Sequence, residues 1–438
     1  TIYRGVVAVI REPGGGLALA GTGKPVDWLV EMVRFDDEAL FATMAERGQL
    51  TRAVIEDLAD HIAAFHRQAE PRRSAGGREG MAAVIDNNAE SLAATDLDPT
   101  KTHRLIERWR AALAEVSPLL DRRREQGFVR HCHGDLHLRN IVLIDGRATL
   151  FDAIEFNDAF AEVDVLYDLA FLLMDLRYRG LDDFASLVLN RYLDNGGGSE
   201  GLVALPLFLS LRAGIRAHVD AMAARAHSDP AQGERLLHGA RRYLDLAHDT
   251  LRRVPPRLIA VGGLSGSGKS RLARTLAPGL GAACGARAVR TDAIRKRLAG
   301  VPLTARLGPD GYSREMTERT YRGLYAEAGA ALAAGCTVIA DAVFASDEER
   351  VAIRALADRH GVPFAGLWLE APTAVLETRA SGRRGDVSDA DAVVVRMQSG
   401  CDLGAIDWVR IDSSGRPEAT LAAARRRLEP ADVAAGEV

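Results

Sequence analysis

The chain has 438 residues, 47% apolar and 26% charged, the balance of a soluble globular protein and too much sequence for one ordinary core. A formal net charge of -4 supplies no basic field for gripping nucleic acid, and the longest apolar stretches, "VALPLFLSL" and "YDLAFLLM", fall short of the ~20 residues that span a bilayer. No charged-then-apolar leader opens the chain, and Cys132, Cys284, Cys336 and Cys401 are scattered, so the expectation is a cytoplasmic protein with free thiols, not a disulfide frame or zinc knuckle.

In chain order, "YRGVVAVIRE" and "PVDWLVEMVRF" predict two strands joined by the turn-rich "PGGGLALAGTGKP". The apolar period then becomes helical in "LTRAVIEDLADHIAAFHRQ" and "HRLIERWRAALAEVSPLL", with the basic, glycine-bearing "PRRSAGGREG" between them read as a solvated loop. Residues 131–140, "HCHGDLHLRN", follow, then two apolar strands around an Asp-Gly turn in "IVLIDGRATLFD", then helices to about Leu251. The two prolines of "RRVPPRLIAVGG" cannot continue a helix, and a buried strand starts at once. Beyond them "RLIAVGG", "ARAVRTD", "TVIADAV", "FAGLWLEA" and "DWVRIDSS" alternate with helical patterns, as in a parallel sheet with crossover helices. The expected domains are residues 1–252 and 257–428, with 429–438 a frayed tail.

The strongest motif is "GLSGSGKS", residues 263–270, which fits the P-loop pattern at every fixed position between a strand and a helix. Backbone N–H groups of Gly263, Ser265, Gly266, Ser267 and Gly268 suit the phosphates of ATP, Lys269 the β- and γ-phosphates, and Ser270 a Mg2+ ion. "VRTDAIRKRL" puts Asp292 at the end of the second strand of this half. There it suits a general base for an acceptor hydroxyl, with Arg295 one turn on to orient the acceptor; the bland alternative is a helix cap. Asp341 ends a third apolar strand, where a carboxylate supports the magnesium shell. Arg379, Arg383 and Arg384 in "LETRASGRRGDVSDAD" read either as a lid that neutralises the transferred phosphoryl group or as a basic surface loop. With the P-loop, "TD-x-x-R", "ADAVF" and these arginines, residues 257–428 resemble small P-loop kinases such as gluconate kinase, chloramphenicol phosphotransferase and the kinase half of polynucleotide kinase. The resemblance implies ATP-dependent phosphorylation of a hydroxyl and leaves the acceptor open.

"HCHGDLHLRN" admits two readings. On a strand, His131, His133, Asp135 and His137 would share one face as in metallo-hydrolases, but a leucine separates Asp135 from His137 and no further ligand cluster presents itself. As a kinase catalytic loop it supplies His133, Asp135 and, after four residues, Asn140, with the hairpin returning Asp152 beside Asn140. Asp135 is then the base, Asn140 and Asp152 the metal ligands, and Asp168 a brace for the loop. This order resembles aminoglycoside phosphotransferases, of protein-kinase-like fold with a mostly helical large lobe. The whole chain resembles a bacterial family described as bifunctional aminoglycoside phosphotransferase/ATP-binding proteins.

One departure stands out. The kinase-like fold carries a small-lobe strand lysine for the α/β-phosphates, and neither Lys24, Lys101, Lys269 nor Lys296 suits that role. The expectation is a truncated small lobe whose missing strands lie before Thr1, or a front half without the usual grip on ATP. The chain thus reads as an ATP-dependent kinase acting on a small-molecule hydroxyl. The rival readings are a non-catalytic substrate-binding or regulatory front half, and a nucleic-acid end kinase, which the acidic balance disfavours. Oligomeric state is not legible in the sequence.

Overall fold

The computed structural model describes residues 2–196, 198–381, 392–400 and 402–428. It opens on strands β1 (Tyr3–Arg11), β2 (Leu17–Leu19) and β3 (Lys24–Met32), paired antiparallel in the order β2-β1-β3. The segment read as a turn thus holds a short third strand, and Lys24 is the first residue of β3, paired with Arg11. Much of this sheet is open: Val6, Trp28 and Val30 are 64%, 61% and 58% exposed.

The large lobe follows as α1 (Phe41–Glu46), α2 (Arg52–Gln68), α3 (Gly77–Ala93) and α4 (Pro99–Glu125), then strand β4 (Val129–His131). The hairpin β5 (Ile141–Ile144) and β6 (Arg147–Leu150) turns on Asp145 and Gly146, both with positive φ, as a two-residue loop requires. Then come α5 (Asp158–Ala161), β7 (Glu162–Asp164), α6 (Val165–Tyr178), α7 (Asp182–Asp194), α8 (Leu205–Ala226) and α9 (Pro230–Thr250). The stretch read as a solvated loop is only partly one. Its last four residues begin α3, and Arg72 pairs with Glu162, the first residue of β7. Residues 199–226 are long and apolar enough to cross a membrane, but two-thirds of that window is buried in the large lobe, where Trp109 Nε1 donates to Ser210 Oγ at 2.7 Å.

The back half is β8 (Leu258–Gly262), α10 (Lys269–Leu276), β9 (Arg287–Arg290), α11 (Thr291–Leu298), α12 (Arg314–Ala333), β10 (Val338–Asp341), α13 (Asp347–Arg359), β11 (Phe364–Glu370), α14 (Thr373–Ser381), α15 (Ala392–Ser399), β12 (Val409–Asp412) and α16 (Pro417–Leu428). Its five strands are parallel, in the order β12-β11-β8-β10-β9, the P-loop-type arrangement expected from the alternating pattern. Strand alternation divides the core. Leu258 and Ala260 join one apolar cluster that runs on into the large lobe through Leu166 and Phe208, while Ile259 and Val261 pack with Leu272 and Ile339 on the other face. The two halves therefore share one core. The tail 429–438 lies outside the described residues.

Packing is close where β11 meets the indole of Trp408. A Cβ on Gly366 would lie 2.4 Å from Trp408 Cγ, and that ring is itself wedged against Phe344 and Phe364. Gly366→Ala is therefore expected to cost roughly 1–3 kcal/mol through overpacking, measured as a lowered urea midpoint at unchanged slope.

Candidate active site

The P-loop curls between β8 and α10. Gly268, in the left-handed conformation (φ +93°), caps α10, so Lys269 and Ser270 occupy the first turn, where free N–H groups and the helix dipole favour anions. Gly266 (φ +86°) passes so close to α14 that a Cβ would lie 2.4 Å from the Leu376 carbonyl oxygen. Ser265 N donates to Gln398 Oε1 at 2.8 Å and, among the described residues, the buried Ser267 hydroxyl has no partner. Lys269 Nζ donates to the Leu264 carbonyl at 3.0 Å across its own loop.

Beneath the loop, Asp341 closes β10. It accepts a hydrogen bond from the Ser270 side chain. Burial raises its pKa above the ordinary carboxylate value, with the Asp292 charge adding to it, and the Lys269 charge and the Ser270 bond only partly offset this. Ser270 and Asp341 together offer hard oxygen donors of the kind Mg2+ takes.

Asp292 is not at a strand end. β9 stops at Arg290, and Asp292 is the second residue of α11; Arg290 holds the cap position and no side chain caps the helix. The structure thus gives Asp292 no capping bond, and it lines the same cavity as Ser270, Lys269 and Asp341. Arg295 also borders this cavity. Its Nη1 donates to the Gly311 carbonyl at 2.9 Å, its guanidinium lies 5.0 Å from the Tyr312 ring centroid, and its buried Nε has no partner among the described residues. Arg379 does not stand on a free lid: its guanidinium donates to the carbonyls of Ser413, Ser414 and Gly415. Arg383 and Arg384 lie outside the described residues.

The cavity has a volume of about 1040 Å³. A single ligand site commonly occupies ~300–1,000 Å³, so there is room for nucleotide and acceptor together. Sequence reasoning missed several of its walls. Tyr321 and Glu349 share a hydrogen bond there, and burial raises the pKa of both. Glu349 had a local signal, the Ser346-x-x-Glu349 capping box that starts α13, but nothing local says that it faces a cavity. Arg52, Asp183 and Phe184, from the front half, border the same space.

In the front half, Asp135 and Asn140 meet. Asn140 Nδ2 donates to Asp135 Oδ2 at 2.9 Å and to its carbonyl at 3.0 Å, and His137 Nε2 is 3.3 Å from Asp135 Oδ2. Burial opposes ionisation of Asp135, but the bond and charge of His137, then Arg212 and Asn140, outweigh it and leave its pKa lowered. Asp168, buried at the start of α6, accepts from Gly134 N at 2.8 Å, His133 N at 3.3 Å and His66 Nε2 at 3.0 Å, bracing the loop. His133 Nε2 bonds the Phe151 carbonyl at 2.8 Å, and Phe151 N donates to the Asn140 carbonyl at 3.1 Å, which brings the next residue, Asp152, close to Asn140. Asp152 itself is exposed, with φ +60° and its N–H bonded to the Tyr3 hydroxyl.

The shared-face histidine pattern does not form. β4 ends at His131, and residues 132–137 are not strand. Among the described residues, the cluster whose ligand atoms approach closely enough for a metal is His66, Cys132 and Asp168, in which Asp168 is already occupied by the bonds just described.

Comparison with known proteins agrees with this division. Residues 18–202 match the phosphotransferase enzyme family and residues 258–402 match the AAA domain family. Uncharacterized proteins of Mycobacterium tuberculosis and Mycobacterium bovis are each 29% identical over 431 residues, spanning 95% of this chain and 82% of theirs. Among solved structures, a sugar kinase from Janibacter sp. HTCC2649 is 25% identical (40% of this chain, 95% of that one, TM-score 0.29). A gluconokinase from Sinorhizobium meliloti 1021 is also 25% identical (40% and 96%, TM-score 0.28). The family matches support a phosphate-transferring enzyme.

The fit of Gly266 against α14 carries a test. Gly266→Ala must displace either the loop or α14, so calorimetric titration with Mg·AMP-PNP is expected to read a loss of about tenfold or more in affinity, about 1.4 kcal/mol.

Proposed function

We propose that the chain is an ATP-dependent phosphotransferase that carries the γ-phosphoryl group to a hydroxyl of a small molecule, with the P-loop half as its catalytic unit. The observation that carries this reading is the bond from Ser270 to buried Asp341, under Lys269 and facing the cavity that Asp292 lines.

In this reading the loop's N–H groups and the α10 terminus hold the phosphates, and Lys269 leaves the Leu264 carbonyl for the β- and γ-phosphate oxygens. Ser270 and Asp341 would hold Mg2+, which when bound neutralises charge on those oxygens. Arg295, anchored on Gly311 and Tyr312, orients the acceptor. Asp292 takes the hydroxyl proton as the acceptor oxygen bonds to phosphorus and the bond to the ADP oxygen breaks; the products are a phosphate ester, ADP and protonated Asp292. Arg379, on its carbonyl perch, borders the cavity as a fixed positive charge. A role for Arg383 rests on the sequence pattern alone. The free thiols of Cys132, Cys284 and Cys336 suit a reducing, cytoplasmic setting, and the net charge of -4 suits a small-molecule acceptor better than nucleic acid.

For the front half, Asp135 as base with Asn140 and Asp152 as metal ligands is one reading. A front half that binds without transferring is favoured by one observation. Lys24, the only lysine in the three-stranded sheet, is exposed at the first position of β3, at the opposite end of that strand from Met32, where the chain leaves for the large lobe.

The test uses labelled ATP with a panel of sugars, polyols, aminoglycosides and oligonucleotides. Lys269→Ala is expected to remove most transfer; transfer near wild type would assign the activity to the front half. Asp292→Asn is expected to keep Mg·ATP affinity while transfer falls by about 10²–10⁴.

A further inference from the structure

The edge strand β9 is covered by helix α7 of the front half. Asn190 supplies side-chain bonds where a neighbouring strand would: its Nδ2 donates to the Ala286 carbonyl at 3.1 Å and its Oδ1 accepts from Ala288 N at 2.8 Å. The next contacts are ionic. Arg287 and Arg290, on β9, are 2% and 8% exposed, and both reach Asp194 at the end of α7, itself 1% exposed. Arg287 Nη1 donates to Asp194 Oδ1 at 2.8 Å, and Arg290 Nε to Oδ2 at 3.1 Å. Arg297 of α11 donates to the Asp194 carbonyl at 3.0 Å, and Glu327 of α12 pairs with both Arg287 and Arg297.

Burying this much charge is a poor source of stability, and the best-attested use of such groups is to fix one register. Burial opposes ionisation of Asp194, but Arg290 and Arg287 outweigh it and keep it a carboxylate. What the network fixes is the end of β9. Arg290 immediately precedes Thr291, whose hydroxyl donates to the Asp341 carbonyl at 3.3 Å, and then comes Asp292. Independently, the other end of α7 borders the P-loop cavity through Asp183, Phe184 and Leu187.

We infer that the front half is built into the P-loop active site: Asp194 is a positioning residue that, through Arg290, holds Asp292 in place against Asp341, and α7 forms one wall of the ligand cavity. The inference rests on the proposed role of Asp292. It makes the P-loop half dependent on the front half whether or not the front half transfers phosphate itself.

The test uses the full chain with Asp194→Asn, which is isosteric but uncharged, and the control Asp60→Asn. The control cuts bonds to Arg191 and Asn195 near the same end of α7 without touching β9. Three readouts are compared: the Kd for Mg·AMP-PNP, ADP release from Mg·ATP with water as acceptor, and amide exchange at 291–295 against 270–276. In Asp194→Asn, ADP release is expected to fall by up to about 10²-fold while Kd stays within about twofold, because the base is misplaced and the phosphate cradle on β8 is not. Exchange at 291–295 is expected to quicken by about tenfold with 270–276 unchanged, and Asp60→Asn to match wild type throughout. Unchanged release and unchanged exchange at 291–295 would overturn the inference. So would a uniform rise in exchange across the back half with weakened nucleotide binding, the pattern of a merely structural contact. If Asp194→Asn does not fold, Asn190→Ala must give a smaller change in the same direction, and none there also overturns it. Wild-type chain that neither binds AMP-PNP nor loses ADP release on Lys269→Ala defeats the proposed function instead, and the exchange comparison still decides the role of Asp194.

Discussion

A parallel sheet cannot leave its edge strand bare at low cost, and in this chain the edge is closed by another domain's helix. β9 carries two buried arginines and unpaired backbone groups on its outer side, and α7 answers with Asp194 and Asn190. Removing either partner would strand a buried charge, which costs far more than the pair contributes. The two halves are consequently locked in one arrangement, and the apolar cluster running from Phe208 through Ala260 to Trp408 follows from that lock. Linkers between independent domains are usually long and mobile. Here only "LRRVPPR", residues 251–257, separates α9 from β8 and the interface does the joining.

The same helix also reaches the other candidate site. Tyr192 of α7 bonds His66 Nδ1 at 2.9 Å, and His66 Nε2 bonds Asp168 at 3.0 Å. Asp168 is held ionised because the bond and charge of His66, then His133 and Arg212, outweigh its burial. Burial keeps the Tyr192 hydroxyl protonated. Tyr192 thus ties α7 to one ring nitrogen of His66 while the other ring nitrogen holds Asp168. Asp168 in turn holds the backbone of His133 and Gly134. A continuous run of buried polar groups thus joins the loop that carries Asp135 to the helix that clamps β9.

What was legible in the sequence was local. Five strands of β-period, the glycine-rich loop between strand and helix, and the Asp-Gly hairpin all announce themselves within about ten residues, because each is dictated by backbone conformation or by one apolar face. What was not legible depended on distance in the chain. Asp194 reads as an ordinary helix end before an Asn-Gly turn, and Arg287 and Arg290 as basic residues in a strand; only the fold reveals that they neutralise each other. "PRRSAGGREG" looked solvated because it is basic and glycine-rich, yet Gly76 and Gly77 serve a close approach to Val129 and Asp121 at the start of α3. Arg379 looked like a lid residue because composition cannot distinguish a guanidinium offered to solvent from one seated on three carbonyls.

The two candidate sites differ in how much of their geometry is paid in advance. In the P-loop half, Asp341 is fully enclosed, bonded to Ser270 and set near Lys269, so its carboxylate is desolvated before any ligand arrives. On the proposed reading such preorganised groups limit the reorganisation left for the reaction, with Lys269 the group that must still move, from the Leu264 carbonyl to the phosphates. In the front half Asp135 and Asn140 are similarly tied, but Asp152 is exposed and hangs from the Tyr3 hydroxyl of a sheet whose apolar residues are largely open. That asymmetry parallels the distribution of lysine: Lys269 borders the enclosed site, and the three-stranded sheet carries only the exposed Lys24. On the proposed reading, alignment of the transferred phosphoryl group would draw on Ser270 and Asp341 in the P-loop half, and the front half would contribute to it through α7.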